Sequence, residues 1–204
     1  MKLYYSPGAC SLAAHIAANE AGVKVDLAKV DLKAHQLEDG SDYYAVNPRG
    51  YVPAVRIKDG EPVLTEANVV VQFIADQKPE SGLMPKAGTA ERYRAQQWLA
   101  FIATELHKNF SWLWQKDTSA ETKAAVKAKL EKRFAELDAH LKSNDYLLGK
   151  NFSAPDAYAF TIINWVNFLG TNLKSFPSLQ AYMDRVAARP KVQETLKSEG
   201  LLAA

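Results

Sequence analysis

Residues 2–30, KLYYSPGACSLAAHIAANEAGVKVDLAKV, decide the fold. Lys2 to Ser6 reads as a short strand, Leu12 to Ala21 as a helix, and Val25 to Val30 as a second strand after a turn at Gly22. Leu12, Ala13, Ile16 and Ala17 mark the apolar side of the helix, and Asn19 and Glu20 can face water. This is a β-α-β unit whose crossover sets the two strands parallel. Cys10, the only cysteine, falls where the first strand ends and the helix begins. Unpaired N–H groups and the positive end of the helix dipole favour a thiolate at such a point. The same residue also reads as a small buried hydrophobe.

Working outward, Asp31 to Asn47 is a polar loop with a short helix around Asp42 to Val46. Pro53 to Ile57 and Pro62 to Thr65 flank a Lys58-Asp-Gly-Glu61 turn and read as an antiparallel hairpin. A helix from Ala67 to Asp76 ends before Lys78-Pro79. The order is β-α-β-α-β-β-α. Pro79 to Thr89 is rich in proline and glycine and poor in apolar residues, which marks a linker. Every later segment reads as helix: Ala90 to Trp114, Ala120 to Ser143, Ser153 to Leu169, Ser178 to Ala188 and Val192 to Ser198. Val126, Leu130, Phe134, Leu137 and Leu141 share one face of the second of these, opposite a solvated face of lysine and glutamate. The fold class is α/β followed by all-α, with domains at 1–80 and 89–204 and a linker at 81–88.

Bulk properties exclude several classes. With 204 residues, 48% hydrophobic and 24% charged, the chain has ample core and is neither disordered nor a coiled coil. A net charge of +2, with basic and acidic residues interleaved, favours neither nucleic acid nor an anionic membrane. A single cysteine makes no internal disulfide and suits the cytoplasm. Pro7, Gly8 and His15 interrupt any signal-peptide core, and Ala157 to Leu169 is too short to span a bilayer. His15, His35, His107 and His140 show no metal-ligand spacing, so no metal site is expected.

Three further places can carry chemistry. Val52-Pro53 precedes the third strand; a cis bond there would present the Val52 backbone to an extended peptide, whereas a trans bond would simply begin an edge strand. Glu66-Ala67 opens a helix: Thr65 or Glu66 can cap it, and the same helix start suits a ligand carboxylate with Glu66 on a ligand ammonium. Ser153-Ala-Pro-Asp156 has the form of a capping box, with Phe152 placed to staple it, and its role is folding.

Tyr5-Ser-Pro-Gly-Ala-Cys10, Val52-Pro53, Leu64-Thr-Glu-Ala67, His107-Lys108 and Ser153-Ala-Pro-Asp156 together resemble the bacterial glutathione S-transferases of the beta class, over nearly the whole chain. The resemblance implies a thioredoxin-like N-terminal domain that holds glutathione and a helical domain that shapes the second-substrate pocket. It implies Cys10 and His107 as catalytic residues, with Tyr5, Ser11, His35, Tyr51, Val52, Pro53, Glu66, Ala67, Thr104 and Lys108 around glutathione. Trp112, Trp114 and Trp165 are candidates for the electrophile pocket or for core packing, and His107 for a proton relay or a surface histidine.

Three positions depart from the family pattern. Ala67 stands where serine or glycine is usual, His35 where lysine often reaches the glycine carboxylate, and Ala100 where some relatives place a glutathione-contacting asparagine. The implied activity is conjugation of glutathione, a co-substrate, to small apolar electrophiles in detoxification, by a homodimer with no other cofactor. Thiol-disulfide exchange through Cys10 is also implied, whereas Cys10-Ser-Leu-Ala13 lacks the second thiol of a dithiol cycle. The alternative is a non-catalytic binding module on the same fold.

Overall fold

Strand β1 (Lys2–Tyr5) runs parallel to β2 (Asp26–Asp31), with Lys2 opposite Asp26 and helix α1 (Leu12–Ala21) as the crossover, in a computed structural model that describes residues 1–169 and 172–202. A two-residue strand β3 (Gln36–Leu37) pairs antiparallel with β2, and β4 (Ala54–Arg56) pairs antiparallel with β1. The sheet order is β3-β2-β1-β4. Helix α2 (Ala67–Asp76) follows and packs against α1.

The first half differs from the sequence expectation in three details. The expected helix around Asp42 to Val46 is one 3-10 turn, Tyr43–Ala45, begun by the Asp42 carboxylate accepting the Tyr44 N–H. The strand expected at Pro62 to Thr65 contracts to a single bridge between Val55 and Leu64, because Pro62 has no N–H to extend the ladder. β3 was not expected, since Gln36-Leu37 carries no alternating pattern.

The second half is helical: α3 (Ala90–Phe101), a π-helical segment Ile102–His107, α4 (Lys108–Trp114), α5 (Ala120–Leu141), α6 (Ala154–Ile163), α7 (Pro177–Ala187) and α8 (Pro190–Ser198). The helix expected to run on to Leu169 tightens to a 3-10 turn at Asn164–Phe168. Residues 170–171 and 203–204 of the expected helical domain lie outside the described residues.

One apolar core spans both halves, because α1 is enclosed by α2, α6 and α8. This enclosure overturns the expected water-facing side of α1. The Glu20 side chain is buried in a bidentate pair with Arg189 at 2.7 Å, and the Asn19 amide donates to the Thr195 hydroxyl at 2.8 Å. A second bidentate pair, Arg92 with Asp76, and the Ala154 N–H to Leu83 carbonyl bond also tie the halves together. At the start of α6, the buried Asp156 carboxylate accepts from the Ser153 N–H (2.8 Å) and hydroxyl (2.5 Å), the Leu147 N–H (2.9 Å) and the Tyr182 hydroxyl (3.0 Å). Among the described residues no helix is long and apolar enough to cross a membrane.

Candidate active site

The loop between β1 and α1 is fastened at both ends. Ser11, fully buried, accepts the Ser6 N–H at 3.1 Å and donates its hydroxyl to the Ser6 carbonyl at 3.2 Å. Its hydroxyl closes the loop. Between these clasps, the Gly8 N–H donates to Glu199 at 3.0 Å, and the Gly8 carbonyl accepts from Trp165 Nε1 at 2.9 Å. Gly8 has φ +71°, a backbone conformation that favours glycine. The Glu199 carboxylate also meets His15 Nδ1 at 2.9 Å, with both side chains buried.

Cys10 Sγ donates to the Val52 carbonyl at 3.0 Å. Burial pushes the thiol up to about 12, outweighing the lowering effect of the Cys10 and Ser11 N–H groups and reinforced by the Glu66 charge. The expected thiolate-favouring helix start is thereby corrected: desolvation wins, and Cys10 is a neutral donor. Val52 is buried and the Val52–Pro53 bond is cis. The Tyr51 carbonyl accepts from Tyr43 Oη (2.9 Å) and Asn47 Nδ2 (2.7 Å), while the Tyr51 side chain is exposed. Two residues not singled out in the sequence therefore hold this segment beside the thiol.

Glu66 has φ +67°, unusual for a residue with a Cβ, and its side chain caps nothing. The capping alternative is thus overturned: the carboxylate pairs with Arg49 at 2.9 Å, out in solvent, directly before the first N–H groups of α2 at buried Ala67. Such strain in a non-glycine residue is found at ligand clamps. His35, also at positive φ, stacks on Tyr44 at 4.5 Å, and its buried Nδ1 faces Gly50, where a Cβ would lie 2.8 Å away.

From the helical side, His107 sits at the end of the π-helical segment, its Nδ1 2.6 Å from the Tyr158 hydroxyl on α6. Burial first, and then the Lys108 charge, hold the imidazole down to about 4, so it is neutral. Tyr158 is pushed above its ordinary range, by burial above all. His107 also packs on Trp165 at 5.2 Å, and Trp165 contacts Phe110 and Trp114, each at 6.0 Å. Trp165 is buried, whereas Trp112 and Trp114 are nearly half exposed. Thr104 is exposed and donates its hydroxyl to the Ala100 carbonyl; Lys108 and Ala100 are exposed as well. Tyr5 lies beside His15, at 6.0 Å between rings.

The structure thus sets Cys10 against Val52, hangs Trp165 on the Gly8 carbonyl of the same loop, and packs His107 between Trp165 and Tyr158. Tyr158, Tyr43, Asn47, Arg49 and Glu199 escaped the sequence reading. Tyr43, Asn47 and Arg49 lie within ten residues of Val52 and offered a local signal, whereas Tyr158 and Glu199 act through partners distant in sequence. Two cavities border the loop. One of about 780 Å3 lies between Gly8, Phe160, Leu196 and Leu201, and one of about 570 Å3 between Pro7, Leu32, Lys33 and Leu37. Among the described residues no group of three or more His, Cys, Asp or Glu side chains gathers as a metal site.

Comparison with known proteins adds a consistent picture. Residues 8–77 match the N-terminal domain of glutathione S-transferases and residues 97–190 match the C-terminal domain. Glutathione S-transferase GstA of Escherichia coli is 44% identical over 201 residues, covering 98% of this chain and all of the relative. The bacterial transferase BphK, solved as a ternary complex, is 47% identical with a TM-score of 0.95, covering 98% of this chain and 100% of its own. A sphingomonad glutathione S-transferase solved with glutathione is 42% identical with a TM-score of 0.93, covering 99% and 100%.

Proposed function

The chain belongs to the glutathione S-transferase family, in its bacterial beta class, and from that membership we propose how its own residues carry out the transfer of glutathione. Glutathione lies along the first domain. Its cysteinyl backbone pairs with the Val52 backbone, its γ-glutamyl carboxylate meets the first N–H groups of α2 at Ala67, and its ammonium meets the Glu66 carboxylate. Pro53 and Tyr51 frame this contact. His35, Thr104 and Lys108 lie around the rim, with Lys108 supplying positive charge.

The observation that carries the mechanism is the Cys10 thiol donating at 3.0 Å to the Val52 carbonyl. A thiol held up to about 12 is a donor at neutral pH, and a glutathione sulfur arriving next to it receives that hydrogen bond as a thiolate. Glutathione gives up its proton to solvent. The thiolate then attacks a small apolar electrophile over the aromatic group of His107, Tyr158, Trp165 and Trp114; a carbon–sulfur bond forms and the leaving group departs with its electron pair. No further cofactor is invoked.

One observation gives exchange through Cys10 a secondary place. Burial holds the Cys10 thiol well above its ordinary value, so little of it is thiolate at neutral pH and exchange through Cys10 takes second place to attack by bound glutathione. The Cys10→Ala variant separates the two routes. Conjugation of an aromatic halide should fall by about tenfold, whereas reduction of a glutathione mixed disulfide should vanish. Unchanged disulfide reduction in that variant would remove the exchange route. The working assembly is a cytoplasmic homodimer built on the exposed faces of α2 and α3, where Val69 and Tyr93 are exposed.

A further inference from the structure

The helix that carries His107 changes its winding just before reaching it. From Ile102 to His107 the backbone bonds run five residues back, as in Lys108 N–H to the Ala103 carbonyl, and α-helical bonding resumes beyond. Where a ladder returns from the wider to the normal spacing, one carbonyl is skipped and left without a backbone N–H. Here that point is filled from the side: the Asn109 carboxamide folds back and donates Nδ2–H to the Glu105 carbonyl at 2.7 Å and to the Thr104 carbonyl at 3.3 Å. Asn109 is buried, so water is not an easy substitute. The outer side of the same turn is fixed by the Glu105 carboxylate, which accepts from Arg133 Nε at 2.8 Å on α5.

We propose that Asn109 is a positioning residue for the transfer reaction: its carboxamide donates to the two carbonyls at the turn where the π-helical segment ends, the skipped one among them, and so keeps His107 against Tyr158 and facing the site. The inference rests on the reading that His107 borders the glutathione sulfur. Each residue inserted into a helical turn rotates everything beyond it by about 100°. If the turn relaxes to regular α-helix, His107 can no longer meet both Tyr158 and Trp165 as it does now at 2.6 Å from the hydroxyl and 5.2 Å between rings. Leucine at 109 would fill the space without satisfying either carbonyl, whereas serine can satisfy one of them through its own hydroxyl.

The test joins kinetics to a direct view of the imidazole. In Asn109→Ala, kcat for an aromatic halide should fall at least tenfold with little change in KM for glutathione, and adding His107→Ala should lower it no further. Histidine-labelled protein followed by NMR should show His107, flanked by Lys108 and Tyr158, neutral down to about pH 4 in the unsubstituted chain. In Asn109→Ala it should titrate near an ordinary histidine. Asn109→Ser, kept for the case in which the alanine variant does not fold, should fall between the two on both readouts. Wild-type kinetics together with an unmoved His107 titration in the alanine or serine variant would overturn the proposal. If His107→Ala alone has wild-type kinetics, the role of His107 fails instead, and the titration of His107 in the Asn109 variants still decides whether Asn109 positions it.

Discussion

Glu199 and Gly8 are 191 residues apart in the chain, yet the Gly8 N–H donates to the Glu199 carboxylate at 3.0 Å. The end of α8 thus reaches back to the loop that carries Cys10, and His15 on α1 completes the contact at 2.9 Å. Replacing Glu199 by alanine leaves a partly buried N–H and a buried imidazole nitrogen unpaired. The expected loss is about 3 kcal/mol, read as a lower urea midpoint, together with a lower kcat. A midpoint within error of the unsubstituted chain would show that the loop is held by other means.

Glu66 combines backbone strain with the ligand role proposed for it, so the two should separate on substitution. Glu66→Gly removes a positive-φ conformation that disfavours a Cβ by about 1 kcal/mol, and should leave the melting temperature equal or slightly higher. Glutathione affinity, measured by calorimetry, should weaken about tenfold as the ammonium contact is lost. Unchanged affinity would remove Glu66 from the binding site.

Two buried groups give stability opposite pH dependences. His107 is held down to about 4 against an ordinary 6.5, so its contribution is full above pH 6.5 and is lost as pH falls toward 4, by about 3 kcal/mol at most. Asp156 is raised from 3.8 to about 6 by burial, so its contribution is full at low pH and is lost as pH rises through that window. Urea titrations of His107→Gln and Asp156→Asn between pH 4 and 7 should bend in opposite senses relative to the unsubstituted chain. Parallel curves for all three proteins would contradict both assignments.

The sequence carried most of the framework because its signals are local. Leu12–Ala21 and Ala67–Asp76 are read to the residue, since Gly22 and Lys78-Pro79 stop them by backbone chemistry alone. The π-helical turn was invisible: Leu99, Ile102, Leu106, Phe110 and Leu113, all buried, keep a spacing that an uninterrupted α-helix would also show. Glu20 and Asn19 were expected to face water because the helix that covers them lies about 170 residues further along. At Cys10 the helix start and the burial of the thiol act in opposite directions, and only the packed structure shows that burial dominates.

Ser153→Ala tests the start of α6 as a folding element. The hydroxyl donates to Asp156 at 2.5 Å in a fully buried network, and its loss should lower stability by about 1–2 kcal/mol with unchanged glutathione affinity. A change in affinity would place the capping box within the site.

Ultraviolet difference absorption of the thiolate tests the central claim most directly. A protonated Cys10 beside an ionised glutathione requires that the free enzyme show no thiolate at neutral pH, and that saturating glutathione bring in one thiolate per chain, diminished in Cys10→Ala. A thiolate signal at neutral pH in the free enzyme, abolished by the same substitution, would contradict it.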